Sequence, residues 1–199
     1  MNKRLTGFII ILAIFLILPF YGHAASPKET VEKGVKEVLT NLTDSAFKAK
    51  SKDEQIEIIG TIIDKIFDFE ELSRRTLGRE WKKMSAAQQK EFVPLFRQLL
   101  QGVYADRLLA YSDQKVVFDK ETMLKKGRAE VQSYLQTSDG NKIPLFYRLT
   151  DKSGQWKVYD VIIEGVSMVK NYRSQFQEIL SKQSPEDLLN TLRKRTQEG

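Results

Sequence analysis

Few side chains in this 199-residue chain could run a reaction. Its single histidine is His23, and it has no cysteine. Past residue 24 a Ser-His-Asp relay is therefore impossible, and so is a zinc or copper site of the usual His/Cys kind. Gly165-Val166-Ser167 lacks the second glycine of a nucleophile elbow. No phosphate loop or dinucleotide fingerprint occurs. Carboxylates are what remain. Asp68, Glu70 and Glu71 cluster where a helix starts, and favouring its dipole explains them without catalysis. Asp160 differs, because it stands mid-strand among apolar residues, where a carboxylate needs a partner. It reads as a structural partner of Arg148 or of a backbone turn, or as the acid or base of a site.

The elements that place Asp160 are a strand and the helix after it. Trp156, Val158, Asp160 and Ile162 alternate with Lys157, Tyr159, Val161 and Ile163, and both faces carry apolar residues. Such a strand is covered on both sides. Glu164-Gly165 breaks it and Ser167 is placed to cap a helix. From there Val166, Val169, Tyr172, Phe176, Ile179 and Leu180 recur at helical spacing. Strands are expected over 128–137 and 142–150, joined by Asp139-Gly140, with Pro144 marking an edge or bulge. The turn at Ser153-Gly154 sets a register that puts Arg148 opposite Asp160. A short strand over 115–118 completes a four-stranded antiparallel meander.

Helices precede the strands. One is expected from Pro27 to about Lys48, with Val31, Val35, Val38, Leu39, Leu42, Ala46 and Phe47 on its stripe. Ser51 with Glu54, and Ser85 with Gln88, are capping-box pairs that open the second and the longest helix. A short helix over 67–77 ends at Gly78. The longest, Ala86 to about Tyr111, carries Pro94 inside it, where a modest kink is expected. Pro185 starts the last one. Helices, then a meander, then helices make an α+β fold with helices laid on one side of a curved sheet.

Residues 1–24 read as a cleavable signal peptide: Lys3 and Arg4, an apolar run over 8–18, Pro19, then Gly22-His23-Ala24 before the cut. An uncleaved anchor is the rival reading, although the run is short of the roughly 20 apolar residues of a span. Residues 25–199 make a single domain by length. The net charge of +6 is a mild excess spread among acids. It gives no nucleic-acid footprint, and it fits a solvated surface or an anionic partner. Phe, Tyr, Leu, Ile and Val are abundant enough to fill a core or to line an internal apolar cleft, and the pattern serves either.

Leu77-Gly78-Arg79-Glu80-Trp81, Gln88-Gln89-Lys90-Glu91-Phe92, Phe96-Arg97-Gln98-Leu99-Leu100 and Tyr104 resemble the first half of the MlaC, or toluene-tolerance, family. Trp156-Lys157-Val158-Tyr159-Asp160 followed by Glu164-Gly165-Val166-Ser167-Met168 resembles its second half. The likeness runs from about Lys28 to Thr196 and is weakest over 112–124. It implies a periplasmic phospholipid carrier of the Gram-negative envelope, acting in outer-membrane lipid asymmetry. Its implied partners are an outer-membrane lipoprotein–porin complex and an inner-membrane ABC transporter with a lipid-binding ring. The implied fold is nuclear-transport-factor-2-like, a monomer with acyl chains in a deep pocket between sheet and helices and the headgroup in solvent. Phospholipid is then cargo, with no cofactor, no metal and no catalytic residue.

With that resemblance, the pocket lining is expected from Phe96, Leu100, Val103 and Tyr104 on the long helix, Tyr147, Tyr159, Val161 and Ile163 on the sheet, and Val166, Met168 and Val169 at the corner. Arg148 and Asp160 form either a structural pair or, through Arg148, a headgroup contact. In the pairing case Arg148→Ala costs roughly 3–5 kcal/mol of stability. Two other function classes stay open: a non-lipid envelope adaptor, and an isomerase- or hydratase-like enzyme using Asp160.

Overall fold

The computed structural model describes residues 25–111 and 114–197, so the leader expected over 1–24 lies outside the described residues. Capping boxes open three helices. In α1 (Pro27–Thr43), α3 (Lys52–Ile66) and α5 (Ala86–Leu109), a serine hydroxyl accepts the N3 amide while the N3 side chain takes the serine N–H. The first helix does not reach Lys48. Asp44 takes an extended backbone and its carboxylate accepts Phe47 N–H at 2.9 Å, capping a separate turn, α2 (Ser45–Lys48). Asp68 caps α4 (Phe69–Leu77), which ends at Gly78, φ +60°. α5 continues as helix through Pro94.

One antiparallel sheet follows in chain order: β1 (Lys115–Lys125), β2 (Arg128–Gln136), β3 (Lys142–Lys152), β4 (Gln155–Ile163) and β5 (Val166–Ser167). It therefore has five strands where four were expected. Glu164 and Gly165 sit at φ 50° and 82°, a tight turn that folds Val166 and Ser167 back onto Ile163 and Ile162. β1 is also longer than the expected 115–118. Register shifts after Phe118 and after Met123 keep a strand without clean alternation paired to β2. Then α6 (Met168–Leu180) and α7 (Pro185–Gln197) close the chain.

A bulge re-sorts the faces of β4. Arg148 pairs with Asp160 and Leu149 with Val158, so Tyr159 is the extra residue. Val158 and Val161, expected on opposite faces, now share one. They pack there with Tyr147, Leu149, Val131 and Val31 of α1. Asp160 and Arg148 lie on the other face.

The apolar residues form three clusters. The largest joins α4, α5, α6 and α7, where Phe92, Phe96 and Phe176 are wholly buried. Phe176 meets Phe96 at 5.2 Å and Phe92 at 5.6 Å, both edge to face. The second is the sheet with α1. The third holds Leu42, Phe47, Ile59 and Ile62 of α1 to α3. Phe67 and Met168 pack against both of the first two, so they are the hinge points of the interior.

Candidate functional site

Asp160 sits where β4 meets α6. Its Oδ1 accepts Val169 N–H at 3.0 Å and its Oδ2 accepts the Ser167 hydroxyl at 2.7 Å. The Ser167 oxygen in turn accepts Lys170 N–H at 3.1 Å, so the carboxylate and the serine together cap α6. Arg148 Nη1 lies 3.7 Å from Asp160, while its Nε bonds Glu130 at 3.1 Å. Both oxygens of the buried acid thus have a donor before Arg148 is counted.

A second acid is buried on this side. Glu71, read above as one of a dipole-favouring cluster, is held by Arg74, by Arg75 at 2.7 Å and more loosely by Arg128 at 3.9 Å. Burial would raise its pKa, but the Arg74 hydrogen bond and the charges of Arg75 and Arg74 outweigh it and hold the carboxyl below its ordinary value. Arg75 also lies 3.9 Å over the Tyr159 ring. Hydrogen bonds, ion pairs and ring contacts therefore tie α4 and α6 to the sheet.

The opposite side of the sheet is looser. Between α1 and β1 opens a groove of about 370 Å³. Its apolar lining is Val35, Leu39, Val116 and Phe118, and Glu32, Lys36, Thr40 and Thr43 supply polar groups. Val35 and Phe118 also pack on the sheet core and Leu39 on the third cluster, so the groove overlies their seam. The start of α1 is fastened: Val31 is wholly buried, and Lys28 N–H donates to the Glu121 carboxylate at 2.9 Å. Small-molecule pockets span about 300–1,000 Å³, so the groove has room for part of an apolar chain.

The eleven residues expected to line one pocket are instead divided. Phe96, Leu100 and Val169 are buried in the helical core, with Tyr104 against it. Tyr147 and Val161 are buried in the sheet core, with Ile163 against it, and Met168 touches both. Burial pushes the Tyr147 hydroxyl well above its usual range, against the pull of its hydrogen bond with Ser133. Tyr159 stands under Arg75. Val103 and Val166 point to solvent, 49% and 61% exposed. None of the eleven lines the α1–β1 groove. The signal for the groove was present in Val35 and Leu39, but a stripe residue over a cleft has the same spacing as one over a core.

Among the described residues no group of three or more His, Cys, Asp or Glu could hold a metal ion, and no helix is long and apolar enough to cross a membrane. The chain is similar to the toluene tolerance protein ttg2D of Pseudomonas putida, 26% identical over 178 residues covering 88% of this chain and 82% of that protein. It is equally similar to the intermembrane phospholipid transport system binding protein MlaC of Haemophilus influenzae, 26% identical over 95% of this chain and 91% of that one. Its fold matches a phospholipid-binding protein from Ralstonia solanacearum, solved in complex with a phospholipid, at a TM-score of 0.80. Identity there is 25%, over 87% of this chain and 98% of the other. The model of the MlaC protein family matches residues 32–194, and the chain belongs to that family.

Proposed function

We propose that the chain is a periplasmic phospholipid carrier of the Mla type, not an enzyme. The observation that carries this reading is the likeness in fold, over nearly the whole length, to a protein solved with phospholipid bound. Residues 1–24 are its export leader, cut after Ala24, and residues 25–199 are one nuclear-transport-factor-2-like domain working as a monomer. It passes cargo between an outer-membrane lipoprotein–porin complex and an inner-membrane ABC transporter with a lipid-binding ring.

The physics needs an enclosure and no catalyst. Two acyl chains carry about 30 methylenes, each worth about 0.8 kcal/mol out of water, so the lipid does not cross an aqueous space unaided. The cargo's way in is the seam between α1 and the sheet, which the groove marks, and the deeper pocket is reached as α1 shifts off β1. Tyr147, Val161, Ile163 and Met168 are then the first of the expected lining to meet an acyl chain, and the headgroup stays at the polar edge. Arg148 and Asp160 serve as structure: the acid is committed to capping α6.

Mass spectrometry of an organic extract from protein purified without detergent tests the reading. Phospholipid at about one per protein is expected. An extract free of phospholipid sinks it and favours the adaptor. Turnover of a small substrate that Asp160→Asn abolishes while ligand is retained would establish the enzyme instead.

A further inference from the structure

The far end of β1 carries an apolar tip that the rest of the chain leaves uncovered. Among the described residues, Val117, Met123 and Leu124 of β1 are large apolar side chains exposed to solvent. Met123 is 53% and Leu124 48% exposed. The register shift between Met123 and Lys125 takes Leu124 out of the pairing, so two exposed apolar neighbours stand at the strand's end. Lys125 and Lys126 follow, both exposed, and Gly127 turns the chain at φ +68° into Arg128. Residues 123–128 hold three cations and no acid. Neither Lys125 nor Lys126 forms an ion pair with the described residues. Arg128 is directed elsewhere, 5.9 Å from the Tyr159 ring and 3.9 Å from Glu71. Across the turn, Asp151 N–H donates to the Gly127 carbonyl, and its carboxylate accepts Gly154 N–H at 2.7 Å.

We propose that this hairpin tip docks the protein on an anionic lipid surface, with Met123 and Leu124 entering the headgroup layer and Lys125 and Lys126 meeting the phosphates. The charge pattern selects that occupant. A pair of exposed apolar side chains beside two free lysines complements a layer that is apolar inside and negative at its face. Apolar insertion this small is reversible, which suits a protein that must leave again. The groove lies toward the other end of β1, at Val116 and Phe118, roughly 20 Å along the strand. Docking by the tip therefore keeps the groove clear of the surface it rests on. The inference goes beyond the carrier reading and does not depend on the cargo.

The test is sedimentation with vesicles of phosphatidylglycerol plus phosphatidylcholine, against phosphatidylcholine alone. The protein is purified from cells expressing the full chain, with its N-terminus fixed by mass spectrometry. Wild type is compared with Met123→Ser/Leu124→Ser and with Lys125→Glu/Lys126→Glu, all shown by circular dichroism to melt alike. Either double variant should lower partition onto anionic vesicles about ten-fold, and raised salt should weaken wild type. Leu124→Trp should shift its fluorescence to the blue on those vesicles. Absent wild-type binding, equal binding to neutral vesicles, or variants that bind as wild type would each overturn the proposal. Lipid content of the same samples is measured separately, so loss of docking with cargo intact counts against this inference alone.

Discussion

Phe96 of α5 and Leu39 of α1 sit on apolar stripes of the same kind, and their surroundings differ. Phe96 touches Phe92, Tyr172 and Phe176 ring to ring and has no exposure. Leu39 looks across about 370 Å³ of open groove at Val116 and Phe118. One region is packed like an organic crystal, and the other is an unfinished contact. The polar chemistry follows the same division. Asp160 ties α6 to the sheet, and Arg75 over Tyr159 with Arg128 near Glu71 ties α4 to it, whereas α1 is fastened to β1 chiefly at its first turns. A fold that seats a helix on α3 and on the sheet core but leaves its edge toward β1 open has placed its adaptability at that edge.

The largest effect should come from the filled side. Phe96→Ala should cost about 3–5 kcal/mol in urea unfolding, with lipid per folded molecule unchanged. Lipid loss at unaltered stability would move the cargo site into the helical core and reverse the comparison. Next comes the cap. Asp160→Ala removes the acceptor for Val169 N–H and the Ser167 hydroxyl and should cost about 3 kcal/mol. Arg148→Ala should cost only about 1 kcal/mol, because the acid keeps both donors and the arginine is 34% exposed. This replaces the larger loss expected from a simple buried pair, and equal losses in thermal unfolding would restore the ion pair as the dominant contact.

Tryptophan separates the two regions most directly. Val161→Trp enters a filled sheet core and should destabilise by about 1–3 kcal/mol. Leu39→Trp enters the groove and should leave stability within about 0.5 kcal/mol while lipid per protein falls. Matching stability losses would mean that α1 is as tightly seated as α5. The smallest effect is acidic. Glu71 has a lowered folded pKa, so its stabilisation is complete above the ordinary 4.5 and is lost as pH falls through the folded value. The advantage of wild type over Glu71→Gln in melting temperature should therefore shrink as the solution becomes strongly acid. An advantage constant with pH would mean that Arg74 and Arg75 do not stabilise the Glu71 carboxylate in the folded chain.

Local rules were legible in the sequence and longer-range geometry was not. Ser51, Ser85 and Ser167 announce helix starts because a cap depends on residues within one turn. Ser153-Gly154 sets the register from Lys152–Gln155 to Leu149–Val158, and the bulge at Tyr159 then brings Arg148 opposite Asp160. The bulge at Tyr159 has no such signature, since one inserted residue changes every face after it without changing composition. The part of β1 past Phe118 was hidden because its two shifts break the alternation by which a strand is read. The groove was hidden for another reason. Whether Leu39 is in a core or above a cleft is decided by how closely β1 approaches, and that distance is not written in α1.

The bond from Lys28 N–H to Glu121 spans 93 residues of chain. The meander, in contrast, closes through turns a few residues long. Loop-closure entropy and contact order therefore set an order of assembly. The hairpins can form locally, but α1 has no sheet to meet until β1, β2 and β4 exist. It is the last piece to seat, and its backbone amides should exchange with solvent sooner than those of α5. The edge of α1 that guards the groove thus seats late for a topological reason: α3 is near in the chain, but its partners on the sheet lie half a chain away.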